Sequence, residues 1–259
     1  MNYTLITGAS GGIGLEIARE CAAQGHSLIL TARDRDKLAA LREELIGKYK
    51  DIKVKILALD LTRPEQVQAL CDHTEARGWV VENLVNNAGF ANWGDFLDID
   101  WRRQSELLRL NIMTLTRLSY FYGKRMRWRA HGHILNLSSV ASFSAGPHMS
   151  LYYASKGFIL SLSEAMAEEL KGTGVTVTAL CPGPTATGFE EAAGMTRSKM
   201  FSFVKPATAQ SVAKHGYKAM MSGKVVELHG PQARLMNVGA RLAPRALARK
   251  FAHRVNVGK

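Results

Sequence analysis

The amino-acid sequence predicts a doubly wound α/β fold, with a mainly parallel seven-stranded sheet and helices on both faces. Short apolar runs alternate with helical patterns along the chain, which is typical of a parallel sheet. A glycine-rich turn at residues 7–14 joins the first apolar run to the first helical pattern. With 259 residues, 46% of them hydrophobic, the chain can bury one large core. We therefore expect one domain over residues 1–259, with a basic amphipathic extension at about 231–259.

Apolar runs mark the predicted strands, which in chain order cover residues 3–7, 28–31, 54–59, 84–86, 133–137, 175–181 and 225–228. Apolar residues at helical spacing mark the intervening helices, which carry Ile13, Ile17 and Cys21, then Leu38, Leu41 and Leu45, then Val67 and Leu70, and later cover 102–129, 150–171 and 208–221. Right-handed crossovers place the ligand sites of such a sheet outside the carboxyl ends of its strands. Functional residues are therefore expected just after strands.

The glycines of the first turn are spaced for a dinucleotide. Gly8 can adopt the backbone angles of a tight turn, and Gly12 lets the chain approach a pyrophosphate without a Cβ in the way. Gly14 permits close packing of the helix on the sheet. The free N–H groups at the helix start then hold the phosphate charge. Glycine-rich turns also serve as plain connectors, so the cofactor interpretation depends on the rest of the chain.

The formal net charge of +12 fits three classes of partner: nucleic acid, an anionic membrane surface, or anionic small molecules such as phosphorylated cofactors. Between Lys224 and Lys259 there are eight Lys or Arg and only one acid, Glu227, so the excess lies at the C-terminus. The sequence contains neither zinc-finger spacing nor a basic strand interleaved with aromatic residues. We therefore expect no specific nucleic-acid partner.

Several common classes of site and segment are not expected from the sequence. No apolar stretch reaches the roughly 18 to 20 residues of a membrane span, and no signal-like segment precedes the first strand, so we expect a cytoplasmic protein. Cys21, Cys71 and Cys181 lie in apolar segments and are interpreted as small core residues. His131 and His133 lack third and fourth ligands, so no metal site is expected.

Tyr152 and Lys156 lie near the start of a predicted helix and share a face, because they are four residues apart. A nearby ammonium stabilises phenolate, which should lower the pKa of Tyr152 from about 10 toward the working range of an acid–base catalyst. The simpler interpretation is a surface tyrosine beside a helix lysine. Three features favour the catalytic one: Ser138-Ser139 ends a strand, residues 86–89 (Asn-Asn-Ala-Gly) end the preceding strand, and Asn111 lies within a long helix.

In order and spacing, these motifs resemble those of the short-chain dehydrogenase/reductase family, whose members share a Rossmann-like domain and a Tyr-x-x-x-Lys centre. The resemblance covers residues 3 to about 230, and rests on the glycine turn, Asp60-Leu61, residues 86–89, Asn111, Ser139, Tyr152 with Lys156, and residues 182–187. It implies a catalytic tetrad of Asn111, Ser139, Tyr152 and Lys156. The family spacing of thirteen positions between serine and tyrosine selects Ser139 over Ser138.

The resemblance also implies what each residue does. In reduction, Ser139 hydrogen-bonds the substrate carbonyl and Tyr152 donates a proton to its oxygen. Lys156 tunes Tyr152 and holds the nicotinamide ribose, Asn111 kinks its helix and holds a water in a proton relay, and Asp60 meets the adenine edge. The residues implied in cofactor binding, from the pyrophosphate turn to the nicotinamide carboxamide, are Gly8, Ser10, Gly12, Ile13, Gly14, Arg33, Asp60, Leu61, Asn87, Ala88, Gly89, Tyr152, Lys156, Pro182, Gly183, Thr185 and Thr187.

Residues after the second strand favour NADP(H) over NAD(H). Ala32 occupies the position where NAD-preferring relatives place an acid for two ribose hydroxyls. Arg33 follows it and can grip a 2′-phosphate and stack on adenine. Gly11 weakens the prediction, since many NADP users carry a second basic residue there. Asp34 lies two positions too late to be the ribose acid.

The substrate pocket is expected in the segment after Gly89, at residues 140–149 and in the segment after Pro182. Apolar candidates there predict a hydrophobic ketone, aldehyde or alcohol, and they are Phe90, Trp93, Phe143, Met149, Phe189, Met195, Met200, Phe201 and Phe203. His148 either touches substrate or is a solvated loop histidine. The alternative function is an NADP-binding sensor or membrane-associated interaction protein without turnover, against which the intact tetrad argues.

Residues 244–255 predict a basic amphipathic helix with Leu247, Phe251 and Val255 in one stripe. Its basic residues lie largely opposite and include Arg245, Arg249 and Lys250. The helix either packs on its own domain or a sister subunit, or rests on an anionic membrane as a peripheral contact. The family resemblance implies a homo-oligomer, a dimer or tetramer, formed through helices like the long one from Arg102.

Overall fold

Seven parallel strands form the central sheet of the protein, for which a computed structural model describes residues 2–189 and 206–257. The strands are β1 (Asn2–Thr7), β2 (Ser27–Ala32), β3 (Val54–Ala58), β4 (Val80–Asn86), β5 (Gly132–Leu137), β6 (Val175–Pro182) and β9 (Val226–His229). Their order across the sheet is β3-β2-β1-β4-β5-β6-β9, and every neighbouring pair is parallel. The predicted doubly wound fold is therefore confirmed.

Helices cover both faces of this sheet. They are α1 (Gly12–Ala23), α2 (Arg35–Lys48), α3 (Pro64–Ala76), α4 (Trp101–Leu108), α5 (Leu115–Trp128), α6 (Ser150–Glu169), α7 (Ala209–Met221), α8 (Gly230–Leu242) and α9 (Arg245–Asn256). One core cluster joins α1, α2 and α7 to the sheet, and a second joins α3, α5 and α6 to its opposite face. Cys21, Cys71 and Cys181 are buried and unpaired, as small core residues should be.

The sheet reverses its winding between β1 and β4. From β1 the chain builds outward through β2 and β3, and then returns to pair β4 on the other side of β1. In an open parallel sheet, this reversal leaves a crevice at the carboxyl ends of the strands where ligands bind. Thr7, Asn86, Leu137 and Pro182 are the last residues of four strands at this edge.

The structure contains elements that apolar periodicity did not predict. The predicted helix at 102–129 is interrupted by a π-helical segment, Arg109–Thr114, between α4 and α5. The helix α8 and a small parallel pair of strands, β7 (Thr185–Ala186) with β8 (Ala207–Thr208), were also missed. Two-residue strands are too short to show a period, so only tertiary pairing reveals them. Among the described residues, no helix is both long enough and apolar enough to cross a membrane.

Candidate active site

The glycine turn between β1 and α1 leaves open space in front of the helix. Gly8 and Gly12 have φ values of +67° and +54°, which side chains rarely adopt. A Cβ on Gly14 would lie 2.4 Å from the carbonyl oxygen of Gly8, so α1 could not approach the turn with a larger residue there. Gly11 caps the helix without a side-chain hydrogen bond, and nothing lies within 4 Å of where its Cβ would be. The helix N–H groups can therefore receive a phosphate.

Residues at the end of β4 hold this turn in place. The Asn87 side-chain amide donates to the carbonyl oxygens of Thr7, at 2.9 Å, and Gly8, at 3.1 Å. The hydroxyl of Thr7 accepts from the backbone N–H groups of Asn87 and Ala88, both at 3.0 Å. Asn87 and Ala88 thus lie directly beside the glycine turn, as the order of the strands requires.

The last residue of β2 and the two residues after it have different surroundings. Ala32 is buried at the strand end, and Arg33 is exposed, with no hydrogen bond or ion pair to another described residue. Asp34 caps α2, because its carboxylate accepts from the backbone N–H of Lys37 at 3.0 Å. Asp34 therefore has a structural use, and Arg33 is the charged side chain available at this corner.

Asp60 follows β3 and faces its own turn. Its carboxylate accepts from the backbone N–H of Thr62 at 3.0 Å and from the Thr62 hydroxyl at 2.8 Å. Leu61, which follows it, is buried in the core, and its carbonyl accepts from Thr114 at 2.6 Å. These bonds hold the turn; contact of Asp60 and Leu61 with a cofactor stays a prediction.

Ser138 and Ser139 point in different directions at the end of β5. Ser138 is buried, and its hydroxyl donates to the backbone carbonyl of Lys156 at 2.9 Å. Ser139 is half-buried and accepts from the backbone N–H of Ala141 at 3.1 Å, and its side chain lies close enough to Tyr152 to lower the pKa of that phenol. Only Ser139 of this pair presents its hydroxyl to the catalytic tyrosine candidate.

Lys156 lies one helical turn after Tyr152, and its side chain is buried between the end of β5 and the segment that follows β4. Its Nζ donates to the carbonyl oxygen of Leu137 at 2.7 Å and lies 5.6 Å from the centroid of the Tyr152 ring. A Cβ on Gly89 would lie 3.8 Å from this Nζ. The ammonium therefore lies between the tyrosine and the end of β4.

Burial has a larger effect on these two groups than their mutual charge. Burial raises the pKa of Tyr152 above its ordinary value, and the polar side chain of Ser139 offsets part of that increase. Burial also lowers the pKa of Lys156 to about 8, against a small opposing effect from Cys181. The expectation that Lys156 depresses the pKa of Tyr152 is therefore wrong. The reason is that desolvation disfavours both charged forms.

Asn111 lies in the π-helical segment, which interrupts the regular helix at the position where a kink is expected. Its amide NH2 donates to the carbonyl oxygen of Phe90 at 3.0 Å and to the Ser155 hydroxyl at 3.1 Å. Its amide oxygen accepts from the backbone N–H of Phe90 at 3.1 Å. The side chain thus ties the segment after β4 to α6, and the water that it is expected to hold stays a prediction.

The segment after β6 returns to the glycine turn. The Thr185 hydroxyl donates to the carbonyl oxygen of Gly183 at 2.9 Å. A Cβ on Gly12 would lie 3.3 Å from the methyl group of Thr187, so this threonine packs over the turn. Phe189 places its ring 5.4 Å from that of Tyr152. The segment after β6 therefore lies against both the glycine turn and Tyr152.

Comparisons with known proteins agree with this arrangement. The family model described as short chain dehydrogenase matches residues 2–198. The chain belongs to the short-chain dehydrogenase family. Membership makes it an oxidoreductase, and it accounts for the glycine turn and the tyrosine–lysine pair in one crevice.

Three relatives illustrate this family membership. Nodulation protein G of Rhizobium sp. (strain N33) is 30% identical over 239 residues, covering 87% of this chain and 94% of that protein. A short-chain dehydrogenase from Sphingobium yanoikuyae, solved in complex with NADPH, is 32% identical with a TM-score of 0.82, covering 93% of this chain and 94% of that one. The bulky-bulky ketone specific alcohol dehydrogenase from Comamonas testosteroni is 26% identical with a TM-score of 0.78, covering 93% and 92%.

The substrate side of this short-chain dehydrogenase differs in part from the predicted pocket. Trp93, Met149 and Phe189 pack together beside Tyr152 and Tyr153. Phe143 instead packs against the core cluster of Leu160, Ala179 and Cys181, because its 3-10 turn directs it toward β6. Phe90 contacts the Arg103 guanidinium, which lies 4.1 Å from its ring centroid. Four other candidates, Met195, Met200, Phe201 and Phe203, lie outside the described residues.

Sequence reasoning missed the residues that connect this wall to the chain end. His148 is neither solvated nor isolated, since its Nδ1 lies 2.7 Å from Asp95 and its ring stacks on His253 at 4.9 Å. Asn256 is fully buried against the same segment. No spacing pattern joins residues more than one hundred positions apart, so the sequence carries no local signal for these contacts.

Proposed function

We propose that this enzyme is an NADP(H)-dependent reductase or dehydrogenase that interconverts a carbonyl and an alcohol on a hydrophobic small molecule. The observation that carries the proposal is the buried Lys156 ammonium, 5.6 Å from the centroid of the Tyr152 ring, with Ser139 close to the phenol. This arrangement provides the Ser139 and Tyr152 hydroxyls as hydrogen-bond donors for one substrate oxygen. It also places the Lys156 cation next to Tyr152, whose hydroxyl would ionise.

Each residue has a defined task in the proposed reduction. The reduced nicotinamide, when bound, supplies the hydride. The Ser139 hydroxyl holds the substrate carbonyl oxygen, and the Tyr152 hydroxyl gives its proton to that oxygen. Lys156 then stabilises the phenolate through its positive charge. In the oxidation direction, the Tyr152 phenolate accepts the proton of the alcohol.

The residues present fit a dinucleotide. The open helix start at Gly11 and the Cβ-free approach at Gly12 would hold the pyrophosphate, and Lys156 would hold the nicotinamide ribose. Arg33 would bind a 2′-phosphate, because it is exposed and has no ion pair to another described residue. The strand before it ends in Ala32 and not in an acidic residue. The relative from Sphingobium yanoikuyae, which was solved with NADPH, supports NADP(H) as the cofactor.

The wall beside Tyr152 supports a hydrophobic substrate. Trp93, Met149 and Phe189 form an apolar surface there, and aromatic rings with methionine accommodate bulky apolar groups. The name of the relative from Comamonas testosteroni, specific for bulky ketones, supports a ketone as the oxidised partner.

The test is a titration with NADPH and NADH by fluorescence, followed by turnover of acetophenone, cyclohexanone and decanal monitored as NADPH consumption. Tight NADPH binding with turnover of any of the three supports the proposal. Tight binding without turnover favours a sensor that uses the same crevice. Absence of NADPH binding contradicts the cofactor assignment.

We further propose that the enzyme forms a homo-oligomer through α4 and α5. Large apolar side chains are exposed along these helices and the π-helical segment between them, with 68% exposure for Trp101, 65% for Met113, 61% for Tyr120 and 87% for Trp128. Four large exposed apolar side chains on consecutive helical segments support an interface here. Light scattering should give a dimer or tetramer, and Met113→Glu with Tyr120→Glu should give a smaller species; a monomeric wild type contradicts the proposal.

The C-terminal helix supports a third proposal, a peripheral contact with an anionic membrane. Its residues Ala252 and Asn256 pack on the domain, whereas Leu247 and Phe251 are 59% and 67% exposed. Exposed basic residues beside these two, Arg249 and Lys250, would meet anionic head groups.

A further inference from the structure

Asn256, near the chain end, is the last residue of α9 and has no solvent exposure. Burying an amide is unfavourable unless its polar atoms are hydrogen-bonded. Its Nδ2 donates to the carbonyl oxygen of Pro147 at 2.9 Å, and its Oδ1 accepts from the Tyr153 hydroxyl at 3.4 Å. Its backbone carbonyl accepts from the indole Nε1–H of Trp93 at 2.8 Å. One residue therefore joins three separate parts of the substrate wall.

The segment that Asn256 holds has a constrained backbone. His148, next to Pro147, has a φ of +63°, a conformation that residues other than glycine rarely adopt without support. The carbonyl oxygen of His148 accepts from the backbone N–H of Gly94 at 2.9 Å. Gly146 lies against the Tyr153 ring, since a Cβ there would be 2.3 Å from it. These contacts fix residues 146–149 immediately before α6.

The same segment leads directly into the catalytic tyrosine. Met149 caps α6, and Tyr152 lies in the first turn of that helix. The rings of Tyr152 and Tyr153 are in edge contact at 6.2 Å. A shift of residues 146–149 or of Tyr153 would therefore move the Tyr152 hydroxyl relative to Ser139.

We propose that Asn256 is a positioning residue for the reaction: it holds residues 146–149, Trp93 and Tyr153 so that the substrate wall and the start of α6 keep their geometry. This inference rests on the proposed function, since it assigns Asn256 a role in that same site. It makes the C-terminal helix a part of the active-site wall. His253, one turn earlier, adds a ring contact with His148 to the same segment.

The decisive variant is Asn256→Asp, which keeps the shape and the acceptor for Tyr153 but loses the donor to Pro147 when ionised. We expect kcat/KM for the best of acetophenone, cyclohexanone and decanal to fall by about 10- to 100-fold near pH 8, because small misplacements of reacting groups cost this much. The affinity for NADPH should stay within about twofold of the wild type, because the glycine turn does not contact Asn256. The exposed neighbour Arg254→Ala is the matched control and should keep wild-type kinetics.

A pH series separates positioning from general destabilisation. The carboxyl introduced by Asn256→Asp can donate to the Pro147 carbonyl when it is protonated, so lowering the pH should restore part of the lost kcat/KM relative to wild type. The other titratable groups around this residue are Tyr153, His148, His253 and Asp95, and wild type carries all four, so its pH profile corrects for them. A merely destabilised variant would regain folded protein over the same pH range, because a buried carboxylate destabilises the fold only when it is ionised. The folded fraction, measured by circular dichroism, should therefore stay constant while kcat/KM recovers, and a parallel rise of both would overturn the inference.

Amide hydrogen exchange gives a readout that needs no substrate. Exchange over residues 146–153 should rise in Asn256→Asp and in Asn256→Ala, while exchange in α1 stays unchanged. Should Asn256→Ala not fold, the Asn256→Asp variant alone decides. If wild type reduces none of the three carbonyls, the proposed function fails, and exchange decides whether Asn256 holds the segment. Unchanged exchange, or kcat/KM within about twofold of wild type at every pH, overturns the inference.

Discussion

The cofactor side and the substrate side of the crevice are built in different ways. On the cofactor side, residues 7–14 supply a continuous turn, and Asn87 holds it from the neighbouring strand. On the substrate side, the Trp93 indole donates a hydrogen bond to the carbonyl oxygen of Asn256, 163 positions away. The Pro147 carbonyl accepts one from the Asn256 side chain, 109 positions away. The cofactor side depends on local backbone conformation, whereas the substrate side depends on long-range packing. We therefore expect substitutions on the two sides to affect binding and turnover separately.

Removing the Tyr152 hydroxyl should give the largest difference between the effect on turnover and the effect on cofactor binding. Tyr152→Phe should lower kcat by about 100- to 10,000-fold, because this hydroxyl is the group placed to give the proton. NADPH affinity, measured by fluorescence titration, should change little. Tyr49→Phe, at the end of α2 and far from the crevice, controls for loss of a phenol hydroxyl. Retained turnover in Tyr152→Phe would remove the proposed proton donor.

The cofactor side can be tested through its exposed arginine. Arg33→Ala should weaken NADPH binding by about 10- to 100-fold, since a hydrogen bond to a charged group contributes about 1.5 to 3 kcal/mol. NADH binding should be nearly unchanged. Arg42→Ala, at an exposed position of α2, controls for the general loss of positive charge. Equal losses for both cofactors in Arg33→Ala would contradict the assignment to the 2′-phosphate.

The two sides meet at Lys156, whose titration should appear in the pH profile. Burial lowers its pKa to about 8, so the ammonium is present below that pH and is lost above it. Tyr152, whose pKa is raised by burial, stays protonated through this range. We expect kcat/KM for reduction to fall several-fold above about pH 8. In Lys156→Arg the fall should move to higher pH, and an unmoved fall would assign it to another group.

The smallest effect is expected at the outer face of α9. Leu247→Asp with Phe251→Asp should reduce cosedimentation with phosphatidylserine vesicles while leaving kcat/KM unchanged, because these side chains point away from the domain. Phosphatidylcholine vesicles are the control for charge. Equal cosedimentation of wild type and variant would assign this face to protein packing instead.

Apolar runs located all seven strands of the large sheet, and the signal is clearest for β1, β2, β5 and β6, which are buried along nearly their whole length. The cofactor side was also accessible from the sequence, since a glycine turn and its flanking strand and helix are local. Family spacing favours Ser139 over Ser138, and only the packed helix shows that the Ser138 hydroxyl already donates to the Lys156 carbonyl oxygen.

Tertiary structure alone decided the rest. Spacing predicted that the charge of Lys156 would control the pKa of Tyr152, whereas desolvation in the folded crevice has the larger effect. The stripe of Leu247 and Phe251 was the visible apolar pattern of the tail, yet the helix docks through Ala252 and Asn256. A fully buried asparagine at the chain end cannot be predicted from periodicity, because its partners are fixed only when Pro147, Tyr153 and Trp93 come together in the fold.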